Sequence, residues 1–340
     1  MRRVAVLGAG SWGTALAIHL ARNGHAVRLW GRDPALLGEL RRRRENPAYL
    51  PGISLPAGLT ATVHLDEALD AAAFVLSAVP SHGLRAVVRE ARELLPNGAI
   101  MVSATKGLEL DTLRRMSEVI REETGGTHHV AAVSGPSFAI EVARQLPTAV
   151  SVACEDGRTA AEVQQELRGA AFRLYVTGDL IGVEIGGAFK NVIAIAAGVV
   201  EGLGLGHNAM AALITRGLAE VTRLACALGA RPETLAGLSG LGDLVLTCTG
   251  DLSRNRRLGI ELGRGRSLEE IVSEMRMVAE GIRTTGAALA LGARHGVELP
   301  IAAQMAEVLD GRTTPRAAVE QLMLRPLKSE LDITRGTPES

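Results

Sequence analysis

A single lysine lies in a long apolar stretch in the second half of the chain. Between Glu184 and Glu201 the only charged residue is Lys190, within the sequence GAFKNVIAIAAG. A lysine can act as a general acid or base when partial burial or nearby positive charge makes its proton easier to lose. A helical lysine can also extend its ammonium group to water along its own aliphatic chain. The stretch alone is compatible with both roles.

Three glycines near the N-terminus have the spacing of a dinucleotide-binding turn. In VAVLGAGSWGTALA, Gly8, Gly10 and Gly13 follow a predicted strand and open a predicted helix. Gly8 would make the tight turn, Gly10 would let the main chain approach a pyrophosphate, and Gly13 would let the helix pack against the strand. The N–H groups of Ser11 and Trp12 would then favour a phosphate. A glycine turn without a ligand is the alternative, but the strand–turn–helix context favours a dinucleotide site.

The end of the second predicted strand, VRLWGRDP, bears on the choice of cofactor. NAD-preferring sites hold the ribose 2′-hydroxyl with an acid about 20 residues after the fingerprint. Here Gly31 stands at that position and Arg32 follows, so no carboxylate would repel a 2′-phosphate and a guanidinium could pair with it. Asp33 is expected to cap the helix that begins at Pro34. We therefore expect NADP(H) to be preferred, with NAD(H) possible; the alternative is that Arg32 is a solvated turn residue.

Further polar residues follow other predicted strands, at the edge of the sheet where ligands bind. Lys106 in IMVSATKGLE and the Gly135–Ser137 segment in AAVSGPSFAIEVA lie at this edge, where N–H groups and a hydroxyl suit an anion or a hydroxylated substrate. Tyr49, in the segment ENPAYLPGI, which we predict to be an irregular loop, could close over the cofactor. His82 is interpreted as a residue at the start of a helix rather than as an acid–base group.

Two further polar segments interrupt the helical second half. In LSGLGDLVLTCTG, Asp243 and Thr247 are four residues apart and share a face if the segment is helical. In GDLSRNRRLG, Ser253 is predicted to be a helix N-cap followed by Arg254 and Asn255. A guanidinium, an amide and a helix N-terminus suit a phosphate, although a basic surface helix would show the same pattern.

These residues together fit one kind of chemistry. A nicotinamide enzyme that reduces a ketone needs a proton donor beside the carbonyl oxygen, and Lys190 can be that donor. Lys106 would lower its pKa if the two converge, whereas Asp243 would favour its charged form and fix its position. We expect Lys190, Asp243 and Lys106 to carry the catalysis.

The composition excludes several other classes of protein. The 340 residues carry no net formal charge and only 2% aromatic residues, so nothing suggests nucleic acid or an anionic membrane as a partner. Three scattered cysteines resemble neither a disulfide framework nor a zinc site, and no metal is expected. The most apolar later stretch, residues 192–200, is shorter than the roughly 20 residues needed to span a bilayer. We expect a soluble, cytoplasmic protein.

The pattern of elements predicts two domains. Short β-branched runs alternate with helical ones in residues 1–183, which predicts an α/β Rossmann domain with a mostly parallel, doubly wound sheet. Residues 184–330 are dominated by Ala/Leu/Ile-rich helical patterns and are expected to form an all-α domain, followed by a flexible tail over 331–340. The strand candidates are residues 3–7, 26–30, 73–79, 99–105, 130–134, 148–153 and 172–177.

The order and spacing of the motifs resemble the NAD(P)-dependent glycerol-3-phosphate dehydrogenases of bacteria over essentially the whole chain. The resemblance runs from GAGSWGTA through NPAYLPG, SATKGLE, SGPSFA, GGAFKNVIAIAAG, GLGDLVLTCTG and SRNRRLG to VAEGIRTT. It implies reduction of dihydroxyacetone phosphate to sn-glycerol 3-phosphate for phospholipid synthesis. It also implies a Rossmann domain followed by an all-helical domain, often in a homodimer.

The resemblance also assigns roles to residues, with Lys190 as the general acid/base. The substrate contacts that it implies are Lys106, Gly135, Ser137, Asp243, Ser253, Arg254 and Asn255, beside which we place Thr247. The cofactor contacts that it implies are Ser11, Trp12, Arg32, Tyr49, Lys106, Ala139, Arg254, Val278 and Glu280.

Two other functions are open. A reductase with the same two-domain plan could act on a β-hydroxy acid or an opine, since Arg254 could also hold a carboxylate. A regulator could bind NADP(H) without turnover, but Lys190 and Asp243 would then be idle polar groups with a desolvation cost.

Overall fold

The computed structural model describes residues 1–275, 279–327 and 329–330. The chain divides into two compact units. The first unit contains Met1–Glu109 and Arg114–Leu180. The second contains Leu110–Leu113 and the described residues from Ile181 onward.

The first unit is built on a large sheet. The strands are β1 (Arg3–Leu7), β2 (Ala26–Trp30), β3 (Glu45–Asn46), β4 (Leu50–Ser54), β5 (Leu59–Thr62), β6 (Phe74–Ser77), β7 (Ile100–Ser103), β8 (Val130–Ser134), β9 (Thr148–Ala153) and β10 (Phe172–Thr177). Eight of these form one sheet in the order β10-β9-β8-β7-β6-β1-β2-β5, and all neighbours are parallel except β8 and β9. The predicted mostly parallel sheet is confirmed.

The segment ENPAYLPGI is more regular than predicted. Strands β3 and β4 within it pair as a small antiparallel hairpin. The prediction of an irregular loop was wrong because Pro47 and Pro51 obscured the pattern, whereas Leu50 and Ile53 are buried in the core of the first unit. Strand β5, at the edge of the main sheet, was also not predicted.

Both faces of the main sheet are buried, as expected of a parallel sheet covered by helices. Along β1, Val4 and Val6 belong to one hydrophobic cluster, whereas Ala5 and Leu7 belong to another. The helices of this unit are α1 (Ser11–Arg22), α2 (Pro34–Arg43), α3 (Leu65–Leu69), α4 (Ser81–Ala91), α5 (Met116–Glu123), α6 (Ala139–Ala143) and α7 (Gly157–Leu167). The direction of strand succession reverses between β1 and β6, and this is the point at which open α/β sheets bind ligands.

The described part of the second unit contains helices and no strand, as predicted. Its helices are α8 (Leu180–Gly202), α9 (Gly206–Ala227), α10 (Pro232–Leu235), α11 (Asp243–Thr249), α12 (Arg254–Gly263), α13 (Leu268–Glu274), α14 (Glu280–His295), α15 (Pro300–Leu309) and α16 (Pro315–Met323). A π-helical turn, Leu238–Gly242, leads directly into α11.

Helix α8 is longer than the apolar stretch considered in the sequence. Its 23 residues are long and apolar enough to cross a membrane, and no other helix in the described residues meets that test. The length of the apolar segment taken from residues 192–200 was therefore too short. The helix also includes the apolar residues on the N-terminal side of that stretch. Its whole most apolar window is buried within the protein, which is typical of a core helix.

Helices α8 and α12 touch through their main chains. A Cβ atom placed at Gly198 or Gly202 would overlap the carbonyl oxygens of Arg256 or Ile260. On the facing helix, a Cβ atom at Gly259 would overlap the carbonyl oxygen of Ile195, and one at Gly263 would lie 2.8 Å from that of Val199, both on α8. This contact fixes where α12 begins relative to α8.

Candidate active site

Lys190 and Asp243 form a buried ion pair in the second unit. The Nζ atom of Lys190, on α8, donates a hydrogen bond to Oδ1 of Asp243, the first residue of α11. The side chains are only 9% and 1% exposed, respectively. The lysine therefore does not extend to water, and this favours its role as a general acid or base.

A close main-chain contact positions Asp243. A Cβ atom at Gly186, one turn before Lys190, would lie 2.5 Å from the carbonyl oxygen of Ser239 in the π-helical turn. The π-helical turn therefore fills the space next to Gly186. Thr247 is buried on the same helix as Asp243, and its hydroxyl donates to the Asp243 carbonyl oxygen at 2.6 Å.

The predicted phosphate-binding residues lie at the start of α12. Ser253 is the N-cap, as predicted, and its Oγ accepts a hydrogen bond from the N–H group of Arg256 at 3.2 Å. Arg254 forms no hydrogen bond or ion pair with the described residues. The residue is exposed, although protein packs against part of its side chain. Protein packed around its guanidinium lowers the pKa of Arg254, and the negative charge of Glu280 at the start of α14 opposes that shift.

Asn255 joins three helices. Its Nδ2 donates to Asn191 Oδ1 on α8 at 2.9 Å, and its Oδ1 accepts from the N–H group of Gly281 on α14 at 3.0 Å. The side chain is buried. Sequence reasoning treated Asn255 as a phosphate ligand and missed this connecting role, since neither partner is local in the sequence.

In the first unit, the fingerprint glycines have the surroundings that a dinucleotide site needs. Gly8 has a φ of +115°, and a Cβ atom there would lie 2.8 Å from the carbonyl oxygen of Ala78. A Cβ atom at Gly13 would overlap the Gly8 carbonyl oxygen. At Gly10, by contrast, a Cβ atom would have no protein atom within 4 Å. The protein itself explains Gly8 and Gly13, whereas Gly10 faces open space, as close approach of a pyrophosphate requires.

The start of α1 offers donors to such a ligand. Gly10 is the N-cap and supplies no side chain, so the first N–H groups of the helix, including those of Ser11 and Trp12, have no capping side chain. The indole N–H of Trp12 is buried and has no hydrogen-bond partner among the described residues. These features fit an anionic cofactor.

Asn46 ties the hairpin that carries Tyr49 to the fingerprint. Its Nδ2 donates to the Ala9 carbonyl oxygen at 3.0 Å and to Thr14 Oγ1 at 2.8 Å, and its Oδ1 accepts from the N–H group of Tyr49 at 3.1 Å. Ser11 Oγ donates to the Tyr49 carbonyl oxygen at 2.6 Å. Asn46 was missed because a buried asparagine and an exposed loop asparagine look alike in a sequence.

Arg32 lies at the carboxyl end of β2. It is exposed and forms no hydrogen bond or ion pair with residues that the structure describes. Asp33 caps α2, as predicted, by accepting from the N–H groups of Ala35 and Leu36 at 2.9 and 3.2 Å.

Lys106 and Ser137 converge on one carbonyl oxygen, that of Gly135. Lys106 Nζ donates to it at 3.1 Å and Ser137 Oγ at 2.9 Å. Gly135 has a φ of +147°, and a Cβ atom there would lie 2.9 Å from Val150 Cα, so only glycine fits. Ala139 begins α6 shortly afterwards.

Arg85 holds the segment that carries Lys106. Its guanidinium donates two hydrogen bonds of 2.7 Å to the carboxylate of Glu109, three residues after Lys106. It also pairs with the largely buried Glu123 of α5 at 2.5 Å. Hydrogen bonds from Arg89, and then from Arg85, lower the pKa of Glu123. This cluster could not be recognised in the sequence, because charged residues are usually solvated.

Two remaining predictions need separate mention. His82 is exposed in the first turn of α4 and was not expected to be catalytic. Val278 lies outside the described residues. Within those residues, no group of three or more His, Cys, Asp or Glu side chains could hold a metal ion.

Comparison with known proteins gives one consistent result. The family model of the NAD-dependent glycerol-3-phosphate dehydrogenase N-terminus matches residues 3–160, and that of the C-terminus matches residues 179–320. The chain is 53% identical over 330 residues to a glycerol-3-phosphate dehydrogenase [NAD(P)+] from Geobacter sp. (strain M21), covering 96% of this chain and 98% of the relative.

A solved structure supports the same conclusion. The glycerol-3-phosphate dehydrogenase from Coxiella burnetii is 42% identical, with a TM-score of 0.92 over 95% of this chain and 99% of that one. The matches cover the fingerprint in the first unit and the helices that carry Lys190 and Asp243 in the second. The chain therefore belongs to the NAD-dependent glycerol-3-phosphate dehydrogenase family.

Proposed function

We propose that this chain catalyses the reversible reduction of dihydroxyacetone phosphate to sn-glycerol 3-phosphate with NAD(P)H, which feeds glycerophospholipid synthesis. The observation that carries the proposal is the buried Lys190–Asp243 pair, in a family member whose first unit has a dinucleotide fingerprint. The alternatives of a β-hydroxy acid or opine reductase, or of a sensor without turnover, are not favoured by the relatives.

Lys190 is the proton donor in this mechanism. The hydride for the carbonyl carbon of the substrate would come from the nicotinamide of bound NAD(P)H. Lys190 gives a proton to the carbonyl oxygen, and in the reverse direction it removes the proton of the alcohol. Asp243 fixes the position of the ammonium group by accepting its hydrogen bond. Burial of the pair keeps competing water away from Lys190.

The start of α12 holds the substrate phosphate. Arg254 offers a guanidinium that no described side chain pairs with, and the helix N-terminus at Ser253 adds main-chain donors. Asn255 contributes by holding this helix start against α8 and α14 and has one amide N–H left to reach a ligand. Thr247 completes this side of the site next to Asp243.

Lys106 and Ser137 contact the substrate from their position at the Gly135 carbonyl oxygen. In the first unit, Lys106, Ala139 and Tyr49 are the further residues proposed to contact the cofactor. The main-chain N–H groups around Gly10, Ser11 and Trp12 hold the pyrophosphate. Arg32 pairs with the 2′-phosphate, which makes NADP(H) the preferred cofactor, with NAD(H) accepted.

Surface and thiol chemistry support two proposals, one for the assembly of the chain and one for its location. The chain forms a homodimer, a proposal supported by the exposed apolar side chains Leu241, Val245 and Leu252 around α11. It works in the cytoplasm, a proposal supported by the free thiols of Cys154, Cys226 and Cys248.

The direct test is oxidation of NADPH by the purified protein with dihydroxyacetone phosphate, compared with unphosphorylated dihydroxyacetone. We expect kcat/KM to be far higher for the phosphorylated substrate. Equal rates with both would remove the role of the α12 phosphate site, and no oxidation with either would leave the sensor function.

A further inference from the structure

The position at which NAD-preferring sites carry an acid has no room for a side chain. A Cβ atom placed at Gly31 would lie 2.8 Å from Leu37 Cδ2 and 2.9 Å from Ala9 Cβ. The backbone of Gly31 does not adopt the left-handed region, so the obstacle is space and not conformation. The Gly31 N–H group donates to the Thr62 carbonyl oxygen at 3.2 Å, which fixes its place at the end of β2.

The two blocking residues cannot yield freely. Ala9 stands between Gly8 and Gly10, and its Cβ atom is attached directly to the main chain of the fingerprint. Leu37, on α2, has a flexible end but is 0% exposed. Both belong to the main hydrophobic cluster of the first unit, where a displaced side chain meets other packed atoms.

We propose that Ala9 and Leu37 are specificity-determining residues that close the acid position at Gly31. The inference rests on the proposed use of NADP(H). An acid there would hold the ribose 2′-hydroxyl of NAD(H) and repel the 2′-phosphate of NADP(H). Two features thus favour NADP(H): the exclusion of an acid at Gly31 and the positive charge of Arg32.

A consequence is that the single change Gly31→Asp does not convert the cofactor preference. The aspartate must push into Ala9 and Leu37, which strains the fingerprint and the core. It therefore weakens both cofactors and lowers Tm. Removing atoms from Ala9 or from Leu37 relieves part of the strain and gives the carboxylate more room to reach the ribose.

The test places Gly31→Asp into four backgrounds: wild type, Ala9→Gly, Leu37→Ala and Leu40→Ala. Leu40 is the matched control, because it lies on the same helix, is 0% exposed and belongs to the same cluster. None of the three atoms nearest to the Gly31 Cβ position belongs to it. The measurements are Tm by thermal unfolding and the dissociation constants of NADPH and NADH by fluorescence titration, neither of which needs turnover.

We expect Gly31→Asp to lower Tm by several degrees in the wild-type and Leu40→Ala backgrounds and by clearly less in the Ala9→Gly and Leu37→Ala backgrounds. We also expect the NADPH-to-NADH affinity ratio to fall on the order of tenfold in the two relieved backgrounds, in line with removal of a charge-assisted contact.

Two results would overturn the inference alone. One is that Gly31→Asp lowers Tm equally in all four backgrounds while the wild-type protein binds and oxidises NADPH. The proposed function would then stand without the inference. The other is a full shift of the affinity ratio by Gly31→Asp alone with no fall in Tm, which would show that the position is open. A wild type that binds neither cofactor would overturn the proposed function and the inference together.

Discussion

Lys190 and Asp243 are ion-paired where the carboxylate is 1% exposed and the lysine side chain 9% exposed. Removal of one partner from such a pair leaves the other charge buried without its ion-pair partner, and that cost exceeds what the intact pair contributes. The effect of the ion pair on stability is therefore tested better by changing both residues than by changing one.

We expect Lys190→Met and Asp243→Asn each to lower the free energy of unfolding by about 3–5 kcal/mol, and the double variant to recover much of this loss. Activity should not recover, because kcat falls on the order of 10² or more without the proton donor. Chemical denaturation and steady-state kinetics measure the two effects. A double variant no more stable than the singles would contradict the buried pair, and a near-wild-type kcat for Lys190→Met would place the proton donor elsewhere.

Arg85 is expected to act by positioning Lys106. Glu109→Gln keeps the shape of the carboxylate but weakens the paired hydrogen bonds, so the Lys106 segment loosens. We expect KM for dihydroxyacetone phosphate to rise roughly tenfold, which corresponds to the loss of one charge-assisted interaction, with a smaller change in kcat. The control is Arg92→Met, which removes an exposed pair with Glu93. Kinetic constants that match those of the control would show that the cluster only stabilises the fold.

Asn46 should affect the cofactor more than the substrate. Asn46→Ala removes the hydrogen bonds that join the Tyr49 hairpin to the fingerprint. We expect the dissociation constant of NADPH to rise by on the order of tenfold, since each lost hydrogen bond costs about 1 kcal/mol. Asn97→Ala, at an exposed turn of the same unit, is the control. The idea fails if Asn46→Ala binds NADPH as the control does.

Glu220 should make stability depend on pH. Burial raises its pKa to about 7 from 4.5, against the opposing N–H groups of Ile301 and Ala302 at the start of α15. Between these two values the folded state binds more protons than the unfolded state, so the free energy of unfolding falls as pH rises from 4.5 to about 7.

Glu220→Gln removes that slope, because glutamine carries no titrating proton and still offers an oxygen to the helix. Relative to wild type, we expect little difference below pH 4.5 and a gain on the order of 3 kcal/mol above pH 7. Denaturation at pH 4.5 and pH 8 measures it, with the exposed Glu320→Gln as control. An equal gain at both pH values would show that the carboxylate is not the cause.

The features that could be predicted from the sequence depend on residues that lie close together in the chain. The fingerprint, the caps at Asp33 and Ser253, and the strand after which Lys106 follows are all set by residues within a few positions of one another. The helical second half was predictable because its apolar residues recur with helical spacing over long segments.

Contacts between distant segments explain what was missed. Arg85 and Glu109 are separated by 24 positions, Asn46 and Ala9 by 37, and Asn255 and Asn191 by 64. Gly186 shows the same limit, because a glycine in a sequence does not reveal that the π-helical turn approaches it. The blocked space at Gly31 likewise depends on Leu37 from the next helix.

On the proposed roles of Lys190 and Arg254, the main-chain contact of α8 with α12 lets the protein select substrates by their length. Gly198, Gly202, Gly259 and Gly263 leave no side chain between the helices whose rotation could change their spacing. The separation between the Cα atoms of Lys190 and Arg254 is thus set by the backbone. The distance from the proton donor to the phosphate-binding residue is then fixed before any ligand binds. Side-chain adjustment at the helix crossing cannot accommodate a substrate with a longer carbon skeleton.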